Sequence, residues 1–149
     1  MTSDEAHMER AIDLARESAE RGSNPFGSLL VVDDEIVATR TNTVVTDDDI
    51  TAHPELKLAR WAARELDADD RADCTMYTST EPCAMCSAAI YYAGLRRVVY
   101  SVSAEELNEI KGSKLVVPST TVFEGGAEDV EVIGPVLPAE GRRVHREFW

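Results

Sequence analysis

The order of apolar patterns along this 149-residue chain predicts an α/β fold: a partly parallel β-sheet with helices packed on both faces. Three observations carry that prediction. Gly27–Val32 and Glu35–Arg40 are β-prone runs separated only by Asp33-Asp34, which reads as an antiparallel hairpin. Beyond them, strand-like runs alternate with helical patterns, and helical crossovers make the later strands parallel. Lastly, 44% hydrophobic residues in 149 suffice for one domain, residues 1–149, whose core needs no disulfide, and no internal repeat or low-complexity tract divides the chain.

The elements follow in order. Asp4 to Arg21 is charged but sets Met8, Ile12, Ala15 and Ala19 three or four residues apart, the apolar stripe of an amphipathic helix that Gly22 and Ser23 end. The first hairpin strand is almost wholly apolar and is expected to be central. Asn42 to Ala52 reads as a polar loop. Pro54 opens a helix to about Leu66, since a first turn tolerates the missing N–H, and Leu56, Ala59, Ala62, Ala63 and Leu66 give it a buried face. An acidic connector, Asp67 to Asp73, leads to a strand at Cys74–Thr78 and a turn at Ser79–Pro82. The next helix starts near Cys83 and runs to Tyr92 or Ala93, where Gly94 supplies a left-handed cap. Val98-Val99-Tyr100 is a further strand, and Ser103-Ala104-Glu105-Glu106 resembles the capping box of a short helix. Residues 112–126 take no assignment. Val130–Ile133 is expected to form a last strand and Pro138–Trp149 a terminal helix.

Composition narrows the function. The formal charge of −13 comes from 28 acidic against 15 basic residues, with only three lysines, Lys57, Lys111 and Lys114. Such a surface repels polyanions, and the pairs Arg96-Arg97 and Arg142-Arg143 are too short to make the basic stripe of a nucleic-acid binder. The acidity also resembles that of proteins from salt-rich cytosols, a cause unrelated to substrate. No run approaches the roughly 18 apolar residues of a membrane span, and Met1-Thr2-Ser3-Asp4-Glu5 lacks the basic start of a signal peptide, so a cytoplasmic protein is expected. Three cysteines, two of them as Cys83-Ala84-Met85-Cys86, point to metal or redox chemistry.

The chemistry concentrates in two stretches. His53-Pro54-Glu55 begins one helix, and thirty residues after His53 the run Pro82-Cys83-Ala84-Met85-Cys86 begins another. Catalytic zinc takes three protein ligands and leaves a fourth position open, and His53, Cys83 and Cys86 make that count. Two cysteines three apart at a helix start face one side, where the helix dipole favours thiolates. Zinc lowers the pKa of water from about 15.7 toward 7, making hydroxide the nucleophile at neutral pH. Glu55, two residues beyond the histidine, is placed to shuttle protons, although a solvated first-turn glutamate would read the same. Together the two stretches match the HxE and PCxxC pattern of zinc deaminases, in which the glutamate is not a ligand.

On these residues the chain resembles the cytidine deaminase-like superfamily, in the branch of guanine deaminases, yeast-type cytosine deaminases and tRNA adenosine deaminases. The resemblance extends from the first helix to about Ser101, through Asn24-Pro25-Phe26-Gly27-Ser28, Asn42, Thr51-Ala52-His53-Pro54-Glu55, Thr78–Cys86 and Ala88–Tyr92. It implies a three-layer α/β/α sandwich around a five-stranded mixed sheet, assembled as a homodimer or larger homo-oligomer. It further implies that Asn42 offers its amide to the substrate, that Phe26 walls the pocket, that Ala52 lies near the base, and that Phe148-Trp149 closes over the ring. Asn42 could equally be a turn former, Phe26 a core aromatic, and Phe148-Trp149 a hydrophobic anchor for the last helix. One departure stands out: Pro54 occupies a position where relatives more often carry alanine, so any substrate contact from that backbone N–H is absent here.

The expected activity is hydrolytic deamination of a free nucleobase or nucleoside, a guanine-type base before cytosine. The alternatives are adenosine deamination in tRNA, a non-catalytic module with a structural zinc, and a Cys-x-x-Cys redox protein. His7 and His145 read as surface residues, Cys74 as a buried small hydrophobe, and Asp47-Asp48-Asp49 as a solvated run that would discourage phosphate-bearing substrates if it lined the mouth.

Overall fold

The computed structural model describes all residues, 1–149. The chain runs α1 (Ser3–Glu20), β1 (Gly27–Val32), β2 (Glu35–Thr41), α2 (Val44–Asp47), α3 (Pro54–Glu65), α4 (Ala68–Asp73), β3 (Thr75–Thr80), α5 (Ala84–Ala93), β4 (Arg97–Val102), α6 (Ala104–Lys111), α7 (Ser119–Phe123), β5 (Glu131–Ile133) and α8 (Pro138–Phe148). The five strands form one sheet in the order β2-β1-β3-β4-β5. β1 is antiparallel to both β2 and β3, whereas β3, β4 and β5 are parallel, which is the mixed sheet expected.

Alternation along the strands makes the layers. Leu30, Met76 and Val98 point to one face and pack with Leu58, Ala62, Ile90 and Phe123 from α3, α5 and α7. Their neighbours Leu29, Tyr77 and Val99 point to the other face, against Met8 and Ile12 of α1 and Val144 of α8. The hairpin turn is built as predicted: Asp33 and Asp34 both take the left-handed conformation, at φ 52° and 62°, which a two-residue turn requires and aspartate tolerates.

Several local expectations change. The acidic connector is helix α4, because the Asp67 side chain caps it by accepting from the Asp70 N–H at 2.8 Å. The polar loop after Asn42 holds the single turn α2, and the segment left open contains α7. β3 continues through Ser79 and Thr80, and Glu81 extends its pairing by donating its N–H to Val102 O at 2.8 Å. Cys74 is fully buried, as expected.

The largest revision concerns His145, expected at the surface and found 1% exposed. α8 lies flat on β4 because Gly141 has no side chain; a Cβ there would collide with Ser101 and Val102. Gly141, Val144 and His145 form the stripe of α8 that this contact turns inward, a spacing visible in the sequence but read as a surface face. Burial, and then the nearby Lys111 charge, holds the His145 imidazole down at about 4. A depressed folded-state pKa favours the neutral form, so this group's contribution is complete above the unfolded value of about 6.5 and is lost as pH falls toward 4. The loss is on the order of 3 kcal/mol. Urea unfolding at pH 7 and pH 4.5 should show the stability difference between wild type and His145→Gln shifting by about this amount against the wild type at the lower pH.

Candidate active site

Both stretches that carry the candidate ligands sit at helix starts, and the sequence dictates the local geometry. Pro54 is the first residue of α3, and proline pushes the residue before it out of the helical region. His53 is accordingly extended, at φ −83° and ψ 142°, and caps the helix while its ring turns away. Cys83 caps α5 in the same way, at φ −67° and ψ 174°, and Cys86 lies one turn inside. The departure from alanine at position 54 thus leaves the histidine placed for a metal.

The three side chains meet. His53 Nδ1 is 3.7 Å from Cys83 Sγ and 3.5 Å from Cys86 Sγ, and the three atoms lie within 4.8 Å of one another. Tetrahedral zinc with Zn–S near 2.3 Å and Zn–N near 2.0–2.1 Å requires an S···N edge of about 3.5–3.6 Å. Both S···N distances therefore fit zinc. Electrostatics agree: the hydrogen bond from Cys86, with further help from His53, holds the Cys83 thiol down at about 4. Cys86 is displaced upward by sharing that proton with Cys83 and by burial, and His53 is raised by its bond to Cys83. These three side chains would hold a divalent cation in place of the shared protons.

Glu55 stands beside this set, 5% exposed. Burial, and then the Cys83 charge, pushes its carboxyl up to about 7, and a bound cation would pull it back down. Its hydrogen-bond partner is a residue that sequence reasoning passed over: Ser28 Oγ, 3.4 Å from Glu55 Oε1 and 2.8 Å from Thr78 Oγ1. Ser28 faces Thr78 in the β1–β3 register, so pairing across strands, which no local pattern reveals, puts the hydroxyl there.

Asn42, 3% exposed, uses its side-chain carbonyl within the protein. Oδ1 accepts from Val44 N at 2.9 Å and from Ser23 Oγ at 3.1 Å. Because a backbone N–H can only donate, this fixes which way the amide points and leaves Nδ2 as the group on offer. Ala52 is buried next to His53, and its carbonyl accepts from Thr43 N. Phe26 is half-buried with its ring 5.4 Å from that of His145. Trp149 is 44% exposed, and its ring meets Phe148 edge-on at 4.7 Å. His7 is partly covered, 3.0 Å from Asp34 and with its ring tilted against that of Tyr77 at 5.0 Å, at the end of the strands away from the cysteines. Asp47, Asp48 and Asp49 are exposed as expected; Asp47 and Asp49 line a cleft with Arg40, Lys57 and Arg60.

Residues 1–102 match the zinc-binding region of cytidine and deoxycytidylate deaminases. The chain belongs to this family. It is therefore a zinc-dependent deaminase. Among its relatives, the probable cytosine deaminase of Schizosaccharomyces pombe is 32% identical over 154 residues, covering 98% of this chain and 92% of that protein. The guanine deaminase of Bacillus subtilis is 41% identical over 106 residues, 70% of this chain and 68% of its own. Among solved structures, one from studies of A-to-I editing by tRNA deaminases superposes with a TM-score of 0.75 at 28% identity, covering 93% and 98% of the two chains. A mutant protein in complex with 8-azaguanine superposes with a TM-score of 0.84 at 27% identity, covering 97% and 83%. The deaminase fold thus extends over nearly the whole chain. No helix is long and apolar enough to cross a membrane.

Proposed function

We propose that this deaminase hydrolyses the exocyclic amino group of a free nucleobase or nucleoside, a guanine-type base before cytosine. The observation that carries the proposal is the buried Glu55 carboxyl standing beside the His53, Cys83 and Cys86 set, with the Asn42 amide free to bind a ring. His53, Cys83 and Cys86 are assigned as metal ligands and Glu55 as the catalytic acid–base. Zinc, when bound, supplies a Lewis acid that activates water for attack on the amino-bearing carbon. Glu55 takes a proton from that water, delivers it to the neighbouring ring nitrogen, and carries the next proton to the departing amine. Water enters, ammonia leaves, and the cyclic amidine becomes a lactam. Asn42 Nδ2 donates to a ring acceptor, while Ala52, Phe26 and Trp149 bound the pocket.

The preference for a guanine-type base rests on the 41% identity to a guanine deaminase across the segment that carries the site. Charge opposes an RNA substrate, and one arginine of each short basic pair is engaged within the protein: Arg96 lies 4.9 Å over the Tyr91 ring, and Arg142 pairs with Glu106 at 2.7 Å. The structural likeness to tRNA-editing deaminases keeps adenosine in an anticodon loop as the second reading. The proposal also places the protein in the cytosol as a homodimer or larger homo-oligomer. Ammonia release by zinc-loaded protein from guanine, cytosine, adenine and their nucleosides, at low and high salt and beside an anticodon stem-loop, tests it. Turnover of a free base supports the first reading, and turnover of the stem-loop alone supports the second.

The Asn42 assignment has its own test. Asn42→Asp keeps the acceptor for Val44 N and Ser23 Oγ but replaces the free donor by an oxygen. We expect KM to rise by about tenfold or more with the zinc content unchanged. An unaltered KM would reduce Asn42 to a turn former.

A further inference from the structure

His145 is buried in an apolar setting, yet both of its ring nitrogens are committed to partners on different parts of the chain. Nε2 is 2.6 Å from Thr80 Oγ1, at the end of β3 and three residues before Cys83. Nδ1 is 3.1 Å from the Trp149 indole nitrogen. An indole N–H only donates, so Nδ1 must accept, the proton must sit on Nε2, and Nε2–H must donate to the threonine hydroxyl. The tautomer is dictated by its surroundings. Trp149 is tied to the same residue twice, since its backbone N–H also donates to His145 O at 2.9 Å. The Phe26 ring packs on the imidazole, and the Lys111 ammonium lies 4.7 Å from the centre of the Trp149 ring.

A residue that only filled space here would be an aliphatic one, because a buried imidazole costs free energy unless both nitrogens are satisfied. Histidine offers a donor and an acceptor on opposite sides of a small rigid ring, which lets it bridge the metal-proximal end of the sheet to the last residue of the chain. We infer that His145 is a positioning residue for substrate binding: its imidazole, donating to Thr80 and accepting from Trp149, holds the indole beside Phe26 at the cysteine end of the sheet. The inference rests on the proposal that Trp149 and Phe26 bound the pocket.

The test uses two amide substitutions in a Trp61→Phe background, where Trp149 is the sole tryptophan. His145→Gln places an amide near the Nε2 position and keeps the Thr80 bond while removing the indole's acceptor. His145→Asn places its oxygen near Nδ1 and keeps that acceptor. Kinetics with the base that responds in the ammonia assay, and quenching of Trp149 emission by guanine and cytosine, are measured for both. We expect His145→Gln to raise KM and the quenching constant about tenfold, to change kcat less than about threefold, and to shift Trp149 emission to the red. His145→Asn should recover most of each change, and Trp149→Phe should raise KM alike, with His145→Gln adding nothing further to it. Equal losses in the two amide variants, a fall in kcat instead of a rise in KM, or emission that shifts with KM unchanged would overturn the inference. If no base releases ammonia, the substrate proposal has failed; the quenching constants still decide on His145, and absence of any quenching overturns its role too.

Discussion

Glu55→Gln should retain one zinc per chain and lose about 10²–10⁴-fold in kcat, the usual contribution of a positioned acid–base group. The substitution preserves volume and the contact with Ser28 Oγ, so the proposed ligands, with N···S distances of 3.5 and 3.7 Å, are left intact while the proposed proton carrier disappears. Ammonia release and metal content measured on one preparation separate the two. Retained zinc with unchanged turnover would remove Glu55 from the mechanism. The same variant should be more stable without metal. A carboxyl raised from 4.5 to about 7 by burial opposes folding progressively as pH climbs between those values. Zinc-free Glu55→Gln should therefore gain up to about 3 kcal/mol over the zinc-free parent at pH 8, and little at pH 4.5. Activity and stability pull in opposite directions at this residue, as they do where a polar group is buried for function.

The second large effect is on the metal. Cys86→Ala should yield protein without bound zinc, without deaminase activity, and with a thermal midpoint no higher than that of the zinc-free parent, whereas Cys74→Ala should keep its zinc. Cys74 lies at the start of the sheet core with its thiol pushed up to about 12 by burial, so it offers no thiolate. Stoichiometric zinc in Cys86→Ala would refute the ligand assignment. Zinc uptake should also release protons, because Cys86, whose thiol is pushed up by Cys83 and by burial, must give up its proton to ligate. Affinity must then rise with pH and fall in acid. Chelator competition at pH 6 and pH 8, together with proton release in weak buffer, would show it.

The meeting of His53, Cys83 and Cys86, with Glu55 buried beside them, and most of the sheet were legible from the amino acids alone, and the reason is locality. Pro54 and Pro82 precede or open helices whose first turns aim His53, Cys83 and Cys86, so a spacing of two or three residues is itself a geometry. Asp33-Asp34 specifies a tight hairpin, and Gly94, at φ 85°, ends α5 where expected. Short helices such as α2 and α7 carry too few residues for a period to show. The remaining decisions belong to the tertiary structure. Whether Ser28 meets Glu55 depends on the register of β1 against β3, and the orientation of the Asn42 amide depends on Ser23 from another turn. Whether His145 is a surface residue or a buried bridge between Thr80 and Trp149 depends on which face of α8 settles on β4. Local spacing determines where a side chain points along its own element; burial, and the partners that come with it, are set only when another element covers that face.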